Sequence, residues 1–426
     1  MSFTIEKLSA LEILDSRGRP TVEAECWLAG GARASASVPS GASTGTSEAR
    51  ELRDGEARRF RGLGCRRAVA NIINVLQPAL AGSSFASQAE LDRALLTLDS
   101  TPDKSHLGAN AILAVSLSFA RAAAQARAIP LYSWFAESFG QAPPTLPRPI
   151  INLFSGGKHA GGQAPLQDVL ILPASATSFA ECLQVMFEIY QCAAELIGKK
   201  YAMRLLRADE GGLAPPFPNA EAMLEDAVAA IESAGLKPGR EVCLGVDVAA
   251  THFYSNGVYH LGKLKLDSLA LIEQLAQWAD VYPIVSIEDG LAEEDWEHWP
   301  KLRHRLQGKV LVVGDDLLCT NPARITRAIN CQAADTLLLK VNQIGTLTQA
   351  LEARRLAQKA QWRVMASARS GETEDQGLAD LAVGWAADLI KVGSITQSER
   401  LSKYNRLLAI EAATGFPLAP SPAYQR

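Results

Sequence analysis

Three acidic residues end three separate apolar runs in the second half of the chain: Asp247 in EVCLGVDVAA, Glu288 in YPIVSIEDG and Asp315 in KVLVVGDD. Lys340 follows TLLL in the same way, Arg369 follows WRVMASA, and Lys391 follows ADLI. Apolar runs buried on both faces are what strands of a parallel sheet covered by helices require. Polar residues at the C-terminal ends of such strands stand where β/α barrels build their active sites. Three converging carboxylates repel one another, so a bound cation is their natural partner. With no Cys or His at these strand ends, the hard oxygen ligands favour Mg2+ over zinc. Helix caps explain an Asp or a Ser at such a place, but not two lysines directly ending apolar strands. A lysine in a cleft can serve as a base when its pKa is lowered, or it can simply neutralise the carboxylates. Arg369-Ser370 suits an anion such as phosphate, because a guanidinium forks onto two oxygens.

Three loops carry further candidates. PSGASTG, Pro39 to Gly45, is rich in glycine and hydroxyls and suits a hinged lid over a polar ligand. It lacks the GK[ST] ending of a P-loop, which argues against nucleotide binding. SGGKHAGG sets His159 among glycines, and RADEGGLAPP sets Glu210 on a turn.

The elements that must position these residues fall into two parts. A chain of 426 residues suggests two or three domains, one of which can be a barrel of about 250 residues. The first part begins with β-like alternation broken at SRGRP, a turn between strands. Helical periodicity follows in RRAVANIINVLQPAL and HLGANAILAVSLSFARAAAQARA. The proline-rich QAPPTLPRP can continue neither element, which places the boundary between residues 1–141 and 142–426. The C-terminal TGFPLAPSPAYQR is expected to be loose.

Hydrophobic content of 48% with 21% charge supports a packed core, and a net charge of −4 gives no electrostatic case for nucleic acid. No apolar run reaches the roughly 18 residues of a membrane span, and the N-terminus does not read as a signal peptide. Seven scattered cysteines without a C-x-x-C read as free thiols of a reducing compartment. A cytoplasmic protein is expected, with a small-molecule substrate and neither nucleic acid nor membrane as partner.

At the level of motifs the chain resembles the enolase family. VPSGASTG, DEGG-x-AP, DVAA, SIEDG, GDDL-x-x-TNP, KVNQIGT, RSGETED and SERL-x-KYN carry the resemblance, which runs from ILDSRGRPTVEAE to SERLSKYNRLLAIE. It implies an α/β protein: an enolase-type, TIM-like β/α barrel preceded by a smaller α+β domain. It implies a hydro-lyase that dehydrates 2-phosphoglycerate to phosphoenolpyruvate with two Mg2+ ions, the second arriving with substrate. Asp247, Glu288 and Asp315 would hold the first ion, and Ser40 would help to hold the second. Lys340 would remove the C2 proton, and Glu210 would help to protonate the departing C3 hydroxyl. Lys391 and Gln167 would sit near the substrate carboxylate, with Arg369, Ser370 and His159 at the phosphoryl group. A homodimer or higher homo-oligomer is the family's usual assembly.

The chain departs from that pattern at few places. Ala368 stands where the family's S-H-R-S-G-E-T motif has histidine, and Asp168 replaces a glutamate after Gln167. Ala208, Val392 and Lys158 replace glycine, threonine and serine. The metal, base and acid positions are intact, while the changes gather at the phosphoryl and leaving-hydroxyl end. Removal of a ring at Ala368 is expected to leave room, and Lys158 adds a cation. Together they point to a larger, more anionic phosphoryl substituent, as in the relatives that form carboxyphosphonoenolpyruvate in phosphonate biosynthesis. An ordinary enolase and a non-catalytic binding or structural protein are the alternatives.

Overall fold

Burial alternates along Pro20–Leu28 (β2), which lies between Phe3–Leu14 (β1) and Arg33–Ser37 (β3) in an antiparallel sheet, as a half-covered sheet requires. Ser84–Phe85 (β4) adds to the free edge of β1. The computed structural model describes residues 2–422 apart from 43, 141–143, 163 and 203. The turn at SRGRP is closed by the Asp15 carboxylate, which accepts the backbone N–H groups of Arg17 at 2.8 Å and Arg19 at 2.9 Å. The alanine-rich helix Ala109–Ala126 packs across β2 and β3, its small side chains permitting the close approach. The expected boundary at 141/142 lies outside the described residues.

Eight strands then close a barrel: Arg148–Ser155 (β5), Asp168–Pro173 (β6), Val242–Asp247 (β7), Ile284–Glu288 (β8), Leu311–Gly314 (β9), Thr336–Leu339 (β10), Arg363–Ser367 (β11) and Leu389–Lys391 (β12). The six later runs read from the sequence are six of these strands, and β5 and β6 complete the ring. The barrel is not wholly parallel, as the apolar runs suggested. β6 runs antiparallel to both β5 and β7. The connection between β5 and β6 holds only a short 3-10 turn, Gly157–Ala160, and a parallel pair needs a crossover, usually a helix. This reversal matters for the site, because it puts the first residue of β6 at the end of the barrel where the other strands finish.

Ile150, Leu170, Leu172, Val313, Leu338, Met365 and Leu389 fill the interior of the barrel, and a larger apolar core joins its outer surface to the helices and to the first domain. All seven cysteines are free. Among the described residues no single helix is long and apolar enough to cross a membrane. The C-terminal segment is less loose than expected: the N–H of Leu146 donates to Pro417 O at 2.9 Å, and that of Ala419 to Leu146 O at 2.8 Å. The buried Arg148 donates to Ala419 O as well as to Pro173 O at the end of β6, because a buried guanidinium needs an acceptor for each of its N–H groups. Residues 423–426 lie outside the described residues.

Candidate active site

Asp247, Glu288 and Lys391 are the last residues of β7, β8 and β12, and Asp315 and Lys340 follow directly on β9 and β10. Pairing of Glu288 with Asp247 in the parallel ladder sets these two carboxylates side by side. The Lys391 ammonium lies between them, donating to Asp247 Oδ2 at 2.9 Å and to Glu288 Oε1 and Oε2 at 2.9 and 2.8 Å. Lys340 Nζ donates to Asp315 Oδ2 at 2.5 Å, and Gln343 Nε2 to Asp315 Oδ1 at 2.8 Å. All of these groups are buried. Burial and the charge of Asp247 push Glu288 well above the usual carboxylate range. Burial works against the charge on Lys391, but Asp247 and Glu288 outweigh it and hold the lysine well above its ordinary value.

The residues at this mouth suit a hard divalent cation. The donors are carboxylate oxygens, and Glu288 stays well above the usual carboxylate range even with Lys391 on both its oxygens. Gln167 Nε2 donates to Asp247 Oδ2 at 3.1 Å, whereas the buried Gln167 Oε1 has no hydrogen-bond partner. Among the described residues, two groups bring three donor atoms within 4.8 Å of one another: Asp289, Asp315 and Asp316, and His159, Asp168 and Glu210. Asp247 and Glu288 do not form such a group with Asp315; Lys391 lies on the first two and Lys340 on the third. Asp289 was not singled out in the sequence. Its carboxylate accepts the N–H groups of Asp315 at 2.9 Å and Asp316 at 2.7 Å, which orients the turn carrying Asp315.

Ser40 lies against the turn that carries Ser370 and Gly371. Its hydroxyl donates to Glu51 Oε2 at 3.0 Å and accepts from Arg53 Nη2 at 2.7 Å. Its backbone pairs in both directions with Gly371, at 2.8 and 2.9 Å. The following loop passes through Ser43, which lies outside the described residues, and is held again where the N–H of Thr46 donates to Glu293 Oε2 at 3.0 Å.

Asp168 opens β6 with its carboxylate fully buried, accepting from Ser155 Oγ at 2.5 Å and facing His159 Nδ1 at 3.1 Å. Glu210 lies 3.9 Å from His159 Nε2 and accepts from Asn152 Nδ2 at 3.0 Å. Burial pulls the imidazole down, but Asp168 and Glu210 outweigh it and raise its pKa to about 9. Burial raises Asp168, whereas for Glu210 the nearby cations outweigh burial and lower it. The proton of this cluster is therefore held by His159 rather than by Glu210.

Arg369 and Ser370 sit where β11 turns outward. Arg369 forks onto Glu48, Nη1 to Oε2 and Nη2 to Oε1, both at 3.1 Å, and donates to Asn342 Oδ1 at 2.9 Å. Arg17, from the first domain, donates to Ser370 Oγ and to Ser40 O, both at 3.0 Å. Gly371 is required here by close approach, because a Cβ would collide with Asp15 and Arg17. The last helix, Ser398–Thr414, braces the same turn from below: the buried Arg400 donates to the carbonyls of Arg369 and Ser370 at 2.5 and 2.6 Å. Arg17, Glu48, Asn342 and Arg400 were missed as site residues. Arg17, Asn342 and Arg400 lie inside the quoted motifs and Glu48 three residues beyond one, but nothing local tells a bracing arginine from a surface one.

One cavity is lined together by His159, Gln167, Glu210, Asp247, Lys340, Arg369, Ser370 and Lys391, with Ala42 and Ala368 in its wall. It measures about 20 Å3, room for about one water. With Lys340 and Lys391 bonded to the strand-end carboxylates, this cavity holds no ring-sized space beside Ala368. Lys158 does not line this cavity. It is exposed on the adjoining turn and faces a separate outer pocket.

Residues 5–135 match the family model described as Enolase, N-terminal domain, and residues 143–418 match Enolase, C-terminal TIM barrel domain. The chain belongs to the enolase family. Family membership supports a Mg2+-dependent hydro-lyase of the enolase superfamily, and the acidic groups at the mouth of this barrel are ones that could hold the metal.

Proposed function

We propose that this enolase-family protein dehydrates a derivative of 2-phosphoglycerate, of the kind that yields carboxyphosphonoenolpyruvate in phosphonate biosynthesis. The observation that carries the reaction class is the single cavity faced by a lysine, two acid groups and a set of anion binders. Departures at Ala368, Asp168 and Lys158, which spare the carboxylates and lysines of the mouth, favour a derivative over 2-phosphoglycerate itself.

Asp247, Glu288 and Asp315 would hold the first Mg2+. Bound there, it would supply positive charge against the substrate carboxylate, which lowers the cost of forming an enolate. Lys391 and Gln167 orient that carboxylate. Lys340 keeps its proton while it lies on Asp315: burial opposes the charge, but Asp315 outweighs it and the lysine sits above its ordinary range. It becomes a base when Asp315 is engaged elsewhere. It then takes the proton from C2, and the electron pair of that bond forms the C2–C3 double bond. The C3–O bond breaks, and the hydroxyl leaves as water with a proton from the His159–Asp168–Glu210 cluster. Arg369, Ser370 and His159 hold the phosphoryl group throughout.

An absorbance assay for enolpyruvate formation, with Mg2+ and 2-phosphoglycerate or its phosphorus-substituted esters, tests this reading. Faster turnover of a substituted ester supports it, and efficient turnover of 2-phosphoglycerate alone selects the ordinary enolase reaction. One observation favours that second reading: Asp168, a methylene shorter than the family's glutamate, still reaches His159 at 3.1 Å.

A further inference from the structure

Outside the inner cavity lies a pocket of about 630 Å3. Its wall includes Lys158, His252 and His260, the rings of Phe217 and Phe253, and Gln167. Among the described residues no carboxylate lines it, in contrast to the acidic mouth beside it. Gln167 stands in the wall of both spaces. Lys158 and His159 are consecutive on one short turn, and the chain divides them: His159 faces the inner cavity and Lys158 the outer pocket. A group held at its phosphorus beside His159 is therefore one residue away from a basic, partly apolar chamber.

We propose that Lys158, His252 and His260 form a subsite for a second anionic group attached to the phosphorus of the substrate. The proposal rests on the dehydratase reading for the part of the ligand that reacts. It places a determinant of specificity at Lys158, in a pocket that shares Gln167 with the inner cavity, rather than beside Ala368. Burial, with help from the Lys158 charge, lowers His252 to about 4, so this ring is neutral near pH 7 and can donate a hydrogen bond without adding charge.

Three glycerate esters with a common reacting core test the subsite: 2-phosphoglycerate, the O2 ester of carboxymethylphosphonate, and the O2 ester of propylphosphonate. The last two match in chain length and differ in charge. Calorimetric titration in Mg2+ reads binding, and enolpyruvate absorbance separately reads turnover. The carboxymethyl ester should bind about tenfold more tightly than the propyl ester, the usual worth of a hydrogen bond to a charged group. Lys158→Glu should reverse that preference, and His252→Ala should reduce it. Equal binding of the two esters by the unsubstituted protein, or a preference unchanged in Lys158→Glu, overturns the subsite. A charge preference without turnover of any ester overturns the dehydratase reading and leaves the subsite standing. Turnover of 2-phosphoglycerate without a charge preference does the reverse, and no binding of any ester overturns both.

Discussion

Lys391 Nζ donates to both oxygens of Glu288, at 2.9 and 2.8 Å, with both side chains buried at the mouth of the barrel. The same ammonium serves Asp247, so one lysine compensates two strand-end carboxylates. Removing one partner of a buried ion pair leaves an uncompensated charge, at a cost of about 3–5 kcal/mol. Lys391→Met should therefore lower the melting temperature in chelator, and saturating Mg2+ should restore much of the loss. A deficit of the same size with and without Mg2+ would show that the carboxylates do not take up the ion.

Turnover should require Mg2+, and Asp315→Ala should abolish it, because the site then lacks an oxygen needed to hold positive charge near the substrate carboxylate. Full activity after exhaustive chelation would sink the metal reading of the barrel mouth.

Lys340→Ala should leave Mg2+ binding largely intact while stopping exchange of the substrate's C2 hydrogen with deuterated solvent. The close contact of Lys340 with Asp315 makes the second measurement necessary, since an electrostatic neighbour would also alter turnover. Exchange at the rate of the unsubstituted protein would leave Lys340 with only that lesser part.

The double substitution Ala368→His with Asp168→Glu restores the family residues. Turnover of 2-phosphoglycerate should rise by about ten- to two-hundredfold, the range for one gained contact. Stability should fall by about 1–3 kcal/mol, because a ring enters a cavity of about 20 Å3 and a longer acid enters a fully packed position. Kinetics and a thermal melt decide it together. No gain in turnover would mean that Ala368 is merely tolerated.

Asp168 and Glu210 hold His159 at about 9 in the folded chain against an ordinary 6.5. A group raised in this way contributes stability that is complete below about pH 6.5 and is lost as pH rises through about 9. Melting temperature should fall across that window in the unsubstituted protein, and the fall should be smaller in His159→Asn. Parallel pH profiles for the two would show that another group governs the alkaline loss.

Much of this molecule was legible in the order of its residues. An apolar run that ends in Asp, Glu or Lys declares a buried strand and a polar end within about eight residues, because hydrophobic periodicity and strand geometry act locally. Asp247, Glu288, Asp315, Lys340 and Lys391 were found that way, and the quoted motifs identified the family before the barrel was seen to close. What the segments could not state was decided by closure. The reversal of β6 followed from the lack of a helix between it and β5, and only that reversal carries Asp168 to His159. Lys391 meets Asp247 across 144 residues, and Arg17 meets Ser370 across 353. The Ser40 hydroxyl bonds to Glu51 and Arg53, and Lys158 turns away from the cavity that His159 faces. Each of these depends on where distant chain segments come to rest, and on which buried charge finds a partner there, so only the tertiary structure could decide it.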